Sequence, residues 1–235
     1  MSFDVNAMIN ALGVSARYIT STLFMAGVSM IIGMLLGILV ALIRFFKLPG
    51  ITPLLRGIIT ILKGIPVVLV MLGTYMLMNQ GFNPMAKALG WSIRNRDISP
   101  YWIAIFTLVL MAVVNLSEIY RGAFTAIRPG QLDAAKAIGM TRLQIIRRIL
   151  MPQSLLTVVP MLSNFFINLI KASALASMVG VMDIFQGAAN AAQASYSYLE
   201  AYVAAAIIYW AISLVVELLS KLFETHLNHK FFATA

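Results

Sequence analysis

A chain of 235 residues that is 61% hydrophobic and only 11% charged is excluded as an ordinary soluble domain, where about 25% of residues are charged. It has no cysteine, which rules out a disulfide framework and a thiolate metal site. A net charge of +9 suits either a nucleic-acid partner or the cytoplasmic Lys and Arg of a membrane protein, and the placement of the charges decides between them.

The first predicted span runs from Tyr18 to Ile43, and Leu23 to Ile43 carries no charge. About 20 apolar residues rising 1.5 Å each cross a hydrocarbon core of about 30 Å. The run is too long for the apolar part of a signal peptide, lacks a basic segment before it, and is followed by further spans. Gly33 and Gly37 form a small-xxx-small pair, which serves close packing within one subunit or a dimer seam. The second span, Gly57 to Met78, is interrupted by Lys63 and Pro66. The third, Ile98 to Ser117, is uncharged.

A basic loop follows. Pro129 and Gly130 mark a turn, Leu132 to Gly139 reads as a short helix, and Thr141 is placed to cap a second one. In that second helix Leu143, Ile146, Ile149 and Leu150 share a face. Two short helices with an angle between them are therefore expected, either docking a partner or lying on lipid headgroups. Pro152 marks the transition into the fourth span, Gln153 to Ile170, which contains Pro160. Ala172 to Tyr198 is small and weakly polar, with Asp183 its only charge, and reads as a hairpin or short helix packed on the bundle. The fifth span is Ala201 to Val216, extended to about Phe223. His226 and His229 in the tail have a spacing that can hold a metal or simply sit in solvent, and no metal site is expected.

Five spans put the termini on opposite sides. With the N-terminus outside, 12 of the 17 Lys and Arg residues fall on inner segments and five (Arg17, Lys87, Arg94, Arg96 and Lys171) on or near outer ones. This asymmetry favours an outside N-terminus and an inside C-terminus, and it explains the charge without nucleic acid.

The run Asp133-Ala134-Ala135-Lys136-Ala137-Ile138-Gly139, followed after nine residues by Ile149-Leu150-Met151-Pro152, resembles the EAA signature of importer permeases in ABC transporters. Glu118-Ile119-Tyr120-Arg121-Gly122, Pro129-Gly130-Gln131, Lys63-Gly64-Ile65-Pro66, Asn164, and Leu169-Ile170-Lys171 before Ser173 resemble the polar amino-acid branch of that family. Three positions depart from the pattern. Asp133 stands for the usual glutamate, Met151 for leucine, and Ala172 for the aspartate after the lysine.

The resemblance implies one transmembrane domain over residues 1–235, all α-helical with five spans and a coupling loop at 121–152. It implies that Asp133, Ala134, Ala135, Gly139 and Pro152 form the element coupled to an ATPase. The implied partners are ABC ATPase subunits, a second copy or a homologous permease, an extracytoplasmic solute-binding protein and an amino-acid substrate, in the inner or cytoplasmic membrane of a bacterial-type cell. No cofactor is expected on this chain, because it has no phosphate-binding Gly-x-x-x-x-Gly-Lys-Ser/Thr loop; ATP and Mg would act in the partner.

Candidates for the substrate pathway are Lys63, Gly64, Pro66, Glu118, Asn164, Asn168, Lys171 and Ser173. Each has a plainer alternative. The Lys63–Pro66 segment is a broken helix or a helix entrance, and Glu118 and Arg121 can pair on one helix face. Asn164 and Asn168 line a path or bond between helices, and Lys171 meets a carboxylate or anchors an interface. Rival readings are a permease for another small polar solute and a secondary carrier working without ATP.

Overall fold

The computed structural model describes residues 3–193 and 195–232, with the side chains of Pro129, Leu156 and 227–232 outside that description. Among the described residues every regular element is helical. In chain order these are α1 (Val5–Ala16), α2 (Ile19–Phe45), α3 (Ile51–Gly64), α4 (Val67–Ala88), α5 (Pro100–Thr125), α6 (Pro129–Ala137), α7 (Arg142–Ile145), α8 (Met151–Ala172), α9 (Ile184–Ala192) and α10 (Tyr198–Phe232). Short 3-10 turns occupy Asn95–Asp97 and Ser173–Val179.

Four of the helical runs are long and apolar enough to cross a membrane, and the pair α3 and α4 makes a fifth if counted as one broken span. This is a multi-pass membrane protein. Leu35, Leu39, Ile61, Leu77, Leu218 and Leu222 are exposed on these helices, as expected where lipid is the solvent.

Helix α2 lies along α5, and two glycines make the approach possible. A Cβ on Gly33 would stand 2.5 Å from the Cβ of Ala112, and one on Gly37 would stand 3.0 Å from that of Leu116. The small-residue face therefore packs two spans of one chain. Around this pair Met25, Leu108, Leu116, Phe124, Leu150 and Ile170 form the larger core.

A second, smaller core joins α1, α9 and α10 through Ala11, Ile184, Ala188, Ala201, Ala204 and Ala205. Small side chains let these helices approach closely. The region Ala172 to Tyr198 thus holds a 3-10 turn and a packed short helix. Helix α1, for which the sequence reading assigned no element, is capped by Asp4, whose carboxylate accepts from the N–H groups of Asn6 and Ala7. Its start is tied to α10 by the Asp4 N–H, which donates to Glu200 at 3.0 Å.

The structure moves one boundary of the sequence reading and details two others. Helix α5 runs on to Thr125, so the first residues of the 121–152 stretch belong to a spanning helix. The second span is not one rod but two helices bent by 108° at Ile65–Pro66. Pro152 lies in the first turn of α8, and α7 passes through a wide π turn at Ile146–Leu150 directly into that helix. Proline lacks an N–H and crowds the carbonyl four residues back, here that of Arg148. The wide turn takes up this mismatch, with the Met151 N–H reaching back to the Ile146 carbonyl.

Candidate functional site

The corner between α6 and α7 is built by local chemistry. Proline at the first position starts α6. The helix ends on Gly139, whose φ of +77° lies in the left-handed region. There the Met140 N–H donates to the Ala135 carbonyl at 3.0 Å and the Gly139 N–H to that of Lys136 at 2.9 Å. Together these are the paired bonds of a Schellman cap. Thr141 and Gln144 then form a reciprocal capping box at the start of α7.

The corner is rigid and stands proud of the bundle. Ala135 is buried beneath it, whereas Asp133, Ala134, Gly139 and Pro152 are exposed. Among the described residues Asp133 pairs only with its neighbour Lys136, at 3.2 Å. The face expected in the second helix is partly corrected. Ile145 and Leu150 are buried and Ile146 and Ile149 half-buried, but Leu143 is 61% exposed because it lies on the far side of the short turn.

A second cluster gathers where α2, α3 and α5 come together. Glu118 receives Arg44 from the end of α2, Arg121 at 3.0 Å from its own helix and Lys63 at 3.9 Å from the end of α3. Lys63 and Glu118 are thus brought together, and the Glu118–Arg121 pair expected from spacing is half of a larger clasp. Arg44 was missed by sequence reasoning. Its signal was a cation closing one span opposite a lone carboxylate near the end of another.

At the break, α3 ends at Gly64, Ile65 is extended and Pro66 starts α4. Gly64 and Pro66 are exposed there. The bend leaves the last carbonyls of one helix and the first N–H groups of the next without their usual intrahelical partners.

On α8, Asn164, Asn168 and Lys171 are all exposed and form one stripe at spacings of four and three. Among the described residues the side-chain bond from α8 to α10 is made by Ser163 with Ser220 at 2.6 Å, not by the asparagines. Lys171 stands on the rim of an open hollow of about 450 Å³ with Phe185, Tyr202 and Trp210. Ser173 lies apart from this stripe. It is fully buried, and its hydroxyl donates to the Ile170 carbonyl at 2.7 Å.

Asp183 is another residue whose role the sequence did not disclose. Wholly buried, it caps α9 through the Gln186 N–H at 2.8 Å and accepts from the Tyr209 hydroxyl of α10 at 3.0 Å. Burial pushes its carboxyl above the ordinary value of 3.8, against the lowering effect of these hydrogen bonds. The side chain of His229 lies outside the described residues, so the tail pair is not seen as a unit.

The family model described as "Binding-protein-dependent transport system inner membrane component" matches residues 12–229. The chain belongs to this family. It is similar to the probable amino-acid permease protein YxeN of Bacillus subtilis (strain 168), with 33% identity over 95% of this chain and 95% of the relative. It is also similar to PatM of Vibrio harveyi, a probable amino-acid ABC transporter permease protein, with 30% identity over 97% and 98%. Among solved structures, an amino acid ABC transporter crystallised with histidines superposes with a TM-score of 0.79 at 26% identity, covering 96% of this chain and 100% of that one. The permease is therefore a transport subunit rather than an enzyme.

Proposed function

We propose that this permease is the membrane-spanning half of an ATP-driven importer for a polar amino acid or an amino-acid derivative, in the inner or cytoplasmic membrane. The α6–Gly139–α7 corner carries the reading: a small-residue helix held at a fixed angle outside the bundle is a part made to be gripped. An ABC ATPase subunit, which binds ATP and Mg, docks on Asp133, Ala134 and Gly139 on the cytoplasmic side. The N-terminus is then outside.

A second copy, or a homologous permease, encloses the pathway, and an extracytoplasmic binding protein delivers the solute. The exposed stripe Asn164–Asn168–Lys171 and the broken segment Lys63–Gly64–Pro66 supply polar side chains and free backbone groups to that pathway. Ser173 acts from behind the stripe, holding the end of α8. Closure of the ATPases moves the corner and with it α8, alternating access from one side to the other.

The test is purification of the chain from its native membrane in mild detergent. A nucleotide-binding subunit should accompany it in fixed ratio and should be lost or uncoupled in Gly139→Val. A Cβ there meets no atom within 4 Å, so the substitution acts through the left-handed backbone alone, at roughly 1–2 kcal/mol. An amino-acid panel should then show which solute stimulates ATP hydrolysis. Transport by the chain alone in ATP-free vesicles would overturn the proposal.

A further inference from the structure

The two arms of the corner differ in charge. On α6, Asp133 and Lys136 cancel. The arm that follows carries Arg142, Arg147 and Arg148 and no carboxylate, and among the described residues none of the three lies within ion-pair distance of an acid. Thr141, Leu143, Gln144, Arg147 and Arg148 line an open hollow of about 640 Å³.

The hydrogen bonds already made here decide what the hollow can receive. In the capping box, Gln144 spends its Oε1 on the Thr141 N–H, and Thr141 spends an Oγ1 lone pair on the Gln144 N–H. The Gln144 amide NH2, the Thr141 O–H and both guanidinium groups remain, and all are donors. A hollow lined by spare donors and uncompensated positive charge selects an anion with several acceptor oxygens.

Depth selects the kind of anion. The Arg142 guanidinium stands 5.6 Å over the ring of Phe46, the residue that follows α2. On the other side the uncharged stretch of α8 begins at Met151, three residues after Arg148. Both markers set the hollow where two spanning helices leave the hydrocarbon, at the level of lipid headgroups. Leu143, apolar and 61% exposed, stands on its rim.

We propose that this hollow is a binding site for an anionic phospholipid of the cytoplasmic leaflet. Arg147 and Arg148 donate to the phosphate, Gln144 and Thr141 to the remaining headgroup oxygens, and Leu143 turns toward the acyl chains. The site rests on the cytoplasmic placement of the corner given above. It divides the labour of the corner: α6 faces the protein partner, and the arginine arm holds the membrane surface.

The test uses the full chain in detergent with dioleoyl phosphatidylglycerol and dioleoyl phosphatidylcholine as probes, retention being read by native mass spectrometry. Wild type should retain phosphatidylglycerol at least tenfold better than phosphatidylcholine. Arg147→Gln with Arg148→Gln should abolish that preference, whereas Arg94→Gln with Arg96→Gln, elsewhere in the chain, should leave it intact. Leu143→Glu, at an exposed position, provides a second route by placing an acid in the hollow, and it too should expel the lipid. Equal retention of the two lipids, or a preference that survives both arginine-arm and Leu143 changes, overturns the inference. So does displacement by millimolar inorganic phosphate, which would mark a free-anion site. If instead the glutamine pair keeps its lipid but loses the ATPase, the arm is a protein contact. A chain that captures its ATPase yet shows no lipid preference would leave the transport reading standing and remove this one alone.

Discussion

Asp183 is a carboxylate without a cation among the described residues, held by one backbone N–H and one phenol. Because burial raises its folded pKa, the folded state keeps the proton to higher pH than the unfolded chain does. Its contribution to stability is therefore complete below the ordinary value of 3.8 and is lost as pH rises through the raised value. The expected result is a melting temperature that falls with rising pH across that window in wild type and stays flatter in Asp183→Asn. Asparagine can still accept from Gln186 and can turn its amide toward Tyr209, so it should fold. Asp183→Ala, by contrast, loses the cap and leaves the Tyr209 hydroxyl unpaired, at about 1–3 kcal/mol. Parallel profiles for wild type and the asparagine variant would show that the carboxyl does not titrate differently in the fold. The sequence marked Asp183 only as a solitary charge. Its partner Tyr209 comes from another helix, and no local pattern announces a contact 26 residues away.

Elements tell a similar story about what can be read in advance. Spans were legible because lipid imposes length and apolarity on every crossing, and the α6–α7 corner because Pro129, Gly139 and Thr141 act on their immediate neighbours. Helix α1 escaped because twelve residues cannot span, and its stability comes from packing on α9 and α10. The 108° break was visible only as a possibility: Pro66 stops a helix, but the angle is set by what α3 and α4 pack against. Glu118 is part of that setting, since it ties the end of α3 through Lys63 to α2 and α5. Glu118→Gln should leave Arg44, whose side chain is only 10% exposed, without its counter-charge. A loss of about 1.5–3 kcal/mol is expected, the scale of a hydrogen bond to a charged group. The double change Arg44→Gln with Glu118→Gln should cost less than the sum of the two single changes, and strict additivity in thermal unfolding would mean that the two groups are not coupled.

At the scale of the whole molecule, the absence of cysteine offers a direct test of orientation. Single cysteines at Ala137, on the corner, and at Ser92, between α4 and α5, should face opposite sides of the membrane. In intact cells or right-side-out vesicles, a membrane-impermeant maleimide should label the position at Ser92 and spare the one at Ala137. The reverse pattern would invert the assignment and place the arginine arm on the wrong leaflet. Both positions are exposed, so neither label competes with packing.

The unbroken passage from α7 through the wide turn into α8 has a mechanical side. From Arg142 to Ala172 the helical path measures about 46 Å at 1.5 Å per residue, one continuous lever with its handle outside the bundle. A tilt of about 5° at the handle carries the far end through about 4 Å, roughly the width of a side chain, for a lever of that length. The wide turn is a compliant stretch of that lever, because its backbone bonds already depart from the regular ladder. How stiff those five residues are therefore determines how much of the stroke reaches Asn164, Asn168 and Lys171.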